Sequence, residues 1–281
     1  MTTTTDTAPG GPGGPEHPGD ASDAARTAVA PLAAQARLWP ALCAVYRAQL
    51  SRAKVARIPL LFVATFQSIG IMVLMRGIVD GGPGEEARAV VAGSTVLVVA
   101  FVALNLLAQY FGQLRASGGL DHYATLPVPA AAVALGAAAA YASFTVPGVL
   151  VTAVTGCLLY QLPLGGLWLV LAVVPLAGAA LAGLGAALGL LAPRPELATL
   201  CGQLGMSAAL LLGVLPPARM PDPVLWLRDL LPSTYGVEAL AEVLGPDADW
   251  TAVAANLGVC AGAGVAALAL ATWAYRRAAG R

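Results

Sequence analysis

Charge is scarce in this chain. Only 11% of its 281 residues are Asp, Glu, Lys or Arg, where soluble globular domains carry about 25%. A water-soluble globular domain is therefore excluded. Lysine is almost absent, with Lys54 standing beside fourteen arginines. A phosphate-binding P-loop needs a lysine in Gly-x4-Gly-Lys-Ser/Thr. Lys54 sits in SRAKVA, so these residues do not hold ATP in that way. The two histidines, His17 and His122, have no second His or Cys at metal-ligand spacing. Cys43, Cys157, Cys201 and Cys260 lie far apart without a CxxC pair and read as small apolar packing residues. Neither a Gly-x-Ser-x-Gly elbow nor a His-Glu-x-x-His helix occurs. Fifteen basic and fifteen acidic residues cancel, so no basic excess points to nucleic acid.

What the chain has is apolar length. Hydrophobic residues make up 58% of it, and the mean hydropathy is +0.76. A helix needs about 20 mostly apolar residues to cross about 30 Å of hydrocarbon. Six stretches qualify: Ile58–Met75, Val90–Phe111, Ala139–Tyr160, Leu169–Leu191, Ala198–Leu215 and Val253–Tyr275. They are continuous rather than alternating, which selects helices over a barrel. The third run begins near Ala130, too long for one perpendicular crossing, so its first turns should project beyond the bilayer, with a bend at Pro147-Gly148. An all-α integral membrane protein is expected.

Basic residues near span ends set orientation. One side collects nine: Arg47, Arg52, Lys54, Arg57, Arg115, Arg194, Arg276, Arg277 and Arg281. The other has four, Arg76, Arg88, Arg219 and Arg228, and most of the acids. Both termini are therefore expected in the cytoplasm of a multi-pass plasma-membrane protein. Residues 1–34, rich in Pro and Gly, read as a disordered tail, and 35–281 as the membrane domain. Before the first span Leu42, Tyr46, Leu50 and Ala53 recur at helical spacing, with Arg47, Ser51 and Lys54 one residue later. That pattern predicts an amphipathic helix on the cytoplasmic headgroups.

None of the six spans contains Asp, Glu, Lys, Arg or His. Ion-coupled transporters place such groups inside the membrane, so any uphill movement must draw its energy from a partner. Uncharged polar residues form stripes instead. Asn105, Gln109 and Gln113 fall four apart on span two, as do Thr199, Gln203 and Ser207 on span five. Each set shares one helix face, bordering a substrate path, a subunit contact or an interhelical hydrogen-bond seam. Gln67, Ser68 and Asn256 are isolated polar residues in other spans. Small residues recur at four-residue spacing at Gly178, Ala182 and Ala186, at Gly185 and Gly189, and at Gly258 and Gly262, which allows close helix packing.

Two loops stand out. In Leu114 to Gly136, Pro127 and Pro129 should end a short helix at about Gly119–Thr125. Pro216 to Gly245 is too polar to span, and its Leu225, Trp226, Leu227, Leu230 and Leu231 suggest short external helices before the last span.

This layout resembles the permease subunits of ATP-binding-cassette (ABC) exporters of the second type, six-span proteins of drug, antibiotic and polysaccharide export. The resemblance covers about Leu38 to Arg277. It rests on the basic amphipathic helix before span one, the loop RASGGLDHYATLPVP and the external LPSTYGVEAL. Family members often carry a Glu-Arg pair, a glycine, a short helix and a Pro-containing element in that internal loop. Arg115, Gly118 or Gly119, and Pro127-Val128-Pro129 match, whereas the acidic partner is replaced by Leu114.

The resemblance implies a cytoplasmic ABC ATPase on a separate polypeptide, which carries the ATP and Mg²⁺, with no cofactor on this chain. The ATPase would dock on a coupling helix and its surroundings, here Arg115, Gly119, Asp121, His122, Tyr123 and Pro127, and on the elbow helix with Arg47 and Arg52. It also implies a homodimer around a path lined mainly by spans two and five, where Asn105, Gln109, Thr199, Gln203 and Ser207 lie. Gln67 of span one is a weaker candidate for the same path. A hydrophobic or amphipathic small-molecule cargo is expected, with membrane lipids as further partners. The rival readings are an intramembrane lipid-modifying enzyme and a non-catalytic immunity or assembly protein. The first wants an acid cluster for Mg²⁺, and the inner side offers only Asp121 and Glu196, in different loops.

Overall fold

The computed structural model describes residues 37–56, 58–78, 83–214 and 221–279. The expected tail, 1–34, lies outside the described residues. Everything described is helix or short connection, without a strand. Ten helices follow in order: α1 Leu38–Ala56, α2 Ile58–Met75, α3 Glu85–Ala116, α4 Gly119–Ala124, α5 Ala130–Tyr160, α6 Leu164–Leu191, α7 Pro195–Val214, α8 Asp222–Leu230, α9 Pro232–Val243 and α10 Trp250–Ala279.

Five of these are long and apolar enough to cross a membrane: α3, α5, α6, α7 and α10. They correspond to the expected spans two to six: α3 and α10 run past theirs at both ends, α5 and α6 begin earlier and end at the same residue, and α7 begins earlier and is described to Val214. The expected first span is α2, whose apolar stretch Leu61–Met75 is shorter than the other five. At 31 residues, α5 is about 46 Å long at 1.5 Å per residue. It is continuous through Pro147, which lacks the N–H that would bond four residues back.

At the centre stands α3, whose apolar window is 89% buried within the chain. Helices α2, α5, α6, α7 and α9 all pack against it. Its residues Phe101–Leu106 form a π-helical turn, an irregularity that often marks a functional position. Glycines let α6 approach α3: a Cβ on Gly189 would run into the Ala108 carbonyl and Phe111. The outer helix α10 packs along α6. Gly258 and Gly262 on α10 have nothing within 4 Å of a Cβ position, so this glycine pair makes no close contact within the chain.

Two ends are distinguishable. One carries α1, α4, the last turns of α3, α6 and α10, and the first turns of α5 and α7. The other carries α8 and α9, the Tyr160 phenol donating to the Met72 carbonyl at 2.8 Å, and the stacked Trp168 and Trp250 rings. The expected external helices are α8 and α9. Of these, α9 is well buried against α3, α6 and α10. Arg228 on α8 pairs with Glu238 on α9 at 2.8 Å.

Candidate functional site

The α4 end is built by a sharp reversal of the chain. After α3, Gly118 takes a left-handed φ of 70°, open to glycine and costly for most residues. Gly119 then begins α4 so close to α3 that a Cβ there would meet Leu114. The helix stops at Ala124, Leu126 N–H bonds back to the Tyr123 carbonyl, and Pro129 caps α5. The short helix expected at about Gly119–Thr125 is therefore present.

Three elements are tied together here. The Gln49 amide on α1 donates to the Tyr110 phenol on α3, and Tyr110 is in turn hydrogen-bonded to Tyr123 on α4. Gln49 is 2% exposed. The buried face of α1 is Ala41, Val45 and Gln49, and that side packs on α5. It stands one residue away from the expected row of Leu42, Tyr46 and Leu50, so α1 lies against protein on one side. Arg47 is exposed and Pro127 is exposed. The side chains of Arg52, Asp121 and His122 lie outside the described residues.

Arg115 has a role that spacing did not suggest. Its Nη1 donates to the carbonyls of Leu190 at 2.8 Å and Ala192 at 2.7 Å. Those carbonyls end α6, where a cation favourably meets the negative end of the helix dipole. The guanidinium thus caps a neighbouring span and fixes the α3–α6 contact.

The polar stripes meet. Gln109 donates to the Asn105 Oδ1 at 2.9 Å, and Asn105 donates across to the Gln203 Oε1 at 3.4 Å. Asn105 is 2% exposed and lies in the π turn. A Cβ on Gly202 would stand 3.0 Å from the Asn105 amide oxygen, so glycine there gives the seam its room. The far side of α7 stays open: Thr199, Cys201, Gln203, Leu204 and Ser207 are all exposed. Thr199 returns its hydroxyl to the Pro195 carbonyl at 3.1 Å. Gln67 is half-buried on α2 and takes no part in this seam. The interhelical reading of the stripes is thus met at Asn105 and Gln203. Asn105 serves interhelical bonding, while α7 presents a polar row on an uncovered face.

Among the described residues no group of three or more His, Cys, Asp or Glu side chains is placed to hold a metal. Residues 41–244 match the family model for the ABC-2 type transporter, a stretch running from the first turn of α1 to just past α9. The chain belongs to the ABC-2 type transporter family. It is a multi-pass membrane protein and a permease-type domain, of a family that is generally non-catalytic and works with a partner ATP-binding subunit. Among curated proteins none matches the chain.

Proposed function

We propose that this chain is the six-span permease subunit of an ABC exporter, two copies of which form the translocation path. ATP and Mg²⁺ are held by a separate cytoplasmic ATPase. The observation that carries this is the family match across α1 to α9 in a chain whose single lysine rules out a P-loop of its own. In this reading α2 is the first span, helped across by the residues flanking its apolar core, and both termini are cytoplasmic. That places the α4 end, with its arginines, inside the cell, as the positive-inside bias favours.

The ATPase then docks on α4, on Pro127 and on α1, with its exposed Arg47 and with Arg52. Closure of the ATPase displaces α4, with Asp121, His122 and Tyr123. The bonds from Tyr123 to Tyr110 and from Tyr110 to Gln49 carry that displacement to α3 and α1. A ligand moves such an equilibrium only as far as its affinities for the two states differ, so the ATP-bound ATPase must grip one arrangement of α4 more tightly. The open face of α7, with Thr199, Gln203 and Ser207, faces the second copy and the path. Apolar surroundings and a few uncharged hydrogen-bonding groups suit a hydrophobic or amphipathic small molecule.

The test is to purify the tagged full-length chain from its native membranes and irradiate it with a photoreactive ATP analogue. Labelling of a second, co-purifying polypeptide, with none on this chain, is expected. A preparation that repeatedly retains no nucleotide-labelled partner would overturn the proposal.

A further inference from the structure

A cleft of about 200 Å³ opens at the α4 end between the last turns of α3, α6 and α10. It is lined by Arg115, Leu190, Leu191, Trp273, Ala274 and Arg277, with Ala278 at its edge. Two guanidinium groups therefore face one small space, and no acidic side chain lines it. Among the described residues no carboxylate pairs with either arginine.

Both cations are held in place by the fold. Arg115 spends two N–H groups of Nη1 on the Leu190 and Ala192 carbonyls. A guanidinium has five such donors, so three remain, on an arm that can no longer swing. Arg277 lies over the Trp273 ring, 5.4 Å from its centroid, one helical turn along α10. The orientation of Arg115 is thus fixed before any ligand arrives, which lowers the entropy lost on binding, while the ring beside Arg277 favours its position over the cleft.

Two apolar side chains of the cleft are themselves exposed. Leu191 is 44% exposed and Trp273 is 49% exposed. They lie at the ends of two membrane-crossing helices, the level at which lipid headgroups sit and tryptophan is favoured. A basic cleft bordered by apolar side chains on its membrane side has the polarity of a phospholipid, charged at one end and greasy at the other.

We infer that this cleft is a binding site for the phosphate of an anionic phospholipid, held by Arg115 and Arg277, with acyl chains over Leu191 and Trp273. The site requires only that the bundle sit in a bilayer. It therefore stands or falls separately from transport and from the ATPase.

The full-length protein, stripped of lipid in a zwitterionic detergent, is titrated with dioleoyl phosphatidylglycerol and, separately, with dioleoyl phosphatidylcholine. Bound lipid is counted by native mass spectrometry. Phosphatidylglycerol should be retained in preference, and Arg277→Gln should weaken it about fivefold, as expected for one interfacial arginine. Phosphatidylcholine retention should not change. Arg194→Gln, at the same end but outside the cleft, should leave both lipids unaffected. Arg115→Gln should also weaken phosphatidylglycerol, but it uncaps α6, so Arg277 carries the inference. Glycerol 3-phosphate at millimolar concentration should fail to displace the lipid. Full displacement would mean a free phosphoryl ligand and would overturn the lipid assignment. Equal retention of the two lipids, or equal losses in R277Q and R194Q, would overturn the site. Loss of a co-purifying ATP-binding subunit from R277Q with lipid selectivity intact would do the same.

Discussion

Gln49 on α1 and Tyr110 on α3, 61 residues apart, share a side-chain hydrogen bond that ties the first described helix to the central one. The second amide atom of Gln49, Oε1, is buried without a partner, so this single bond offsets the burial of the whole group. Tyr110→Phe should therefore cost about 1–3 kcal/mol, the penalty for stranding a buried donor. Replacing both, as Gln49→Leu with Tyr110→Phe, should cost less than Tyr110→Phe alone. Thermal unfolding of the three proteins in one detergent checks the order. A double variant weaker than either single would show that the bond is not what holds α1.

Packing of α6 on α3 should be intolerant of volume. Gly189→Val puts atoms where the Ala108 carbonyl and Phe111 already lie, and overpacking typically costs about 1–3 kcal/mol. Gly258→Ala and Gly262→Ala add a methyl group to open space. The expected outcome is loss of monodisperse protein in size-exclusion chromatography for G189V and unchanged profiles for the α10 pair.

Arg228 and Glu238 hold α8 to α9 through a pair in which Arg228 is largely buried and Glu238 is 36% exposed on its side chain. Breaking a fully buried pair costs about 3–5 kcal/mol. Partial exposure of the carboxylate brings the expected loss for Glu238→Gln below that range. Arg228→Met with Glu238→Leu should recover part of the loss, because no charge is then left without a partner. Unfolding midpoints for the single and double variants decide the matter.

The placement of α7 at a subunit contact can be probed with the chain's own chemistry. Cys201 is exposed on α7, Cys157 and Cys260 are buried, and Cys43 is only half-exposed. A short bis-maleimide applied to native membranes should link two copies through Cys201, and Cys201→Ala should abolish the product. Free labelling of Cys201 by a lipid-soluble maleimide without any linked dimer would put α7 against lipid instead.

Five of the six expected spans were legible because an uninterrupted apolar run has one meaning in a bilayer, whereas the apolar stretch of α2, Leu61–Met75, is shorter than the other five. The α4 helix was legible from the two prolines after it, a local signal that ends a helix wherever it stands. Which face of each span is buried was not legible. Lipid and protein interior are both apolar, so the exposed residues of α5, such as Val151 and Leu158, look like the buried ones, such as Val149 and Ala153. For the same reason Gly189 and Gly258 looked alike in sequence and differ completely in contact.

The candidate site was half-legible. Four-residue spacing placed Asn105 and Gln203 each on a polar row, yet nothing in the sequence announces the π turn that carries Asn105 or its bond to Gln203. On α1, periodicity picked out the row of Leu42, Tyr46 and Leu50, whereas the side buried against protein is Ala41, Val45 and Gln49, because Gln49 reads as polar and is paired inside. Arg115 was picked out by the resemblance of its loop to that of the exporter permeases. That it caps α6 depends on a chain end 75 residues away, beyond the reach of local pattern.

The central claim is that the α4 end receives energy from a separate ATP-binding polypeptide. Its most direct test is photocrosslinking in living cells from benzoylphenylalanine at Pro127, exposed beside α4, with Trp226, exposed at the opposite end, as the control position. An adduct at position 127 that is retained on immobilised ATP, with none from position 226, is the result expected. An ATP-binding adduct from position 226 instead, or none from either, would contradict the account.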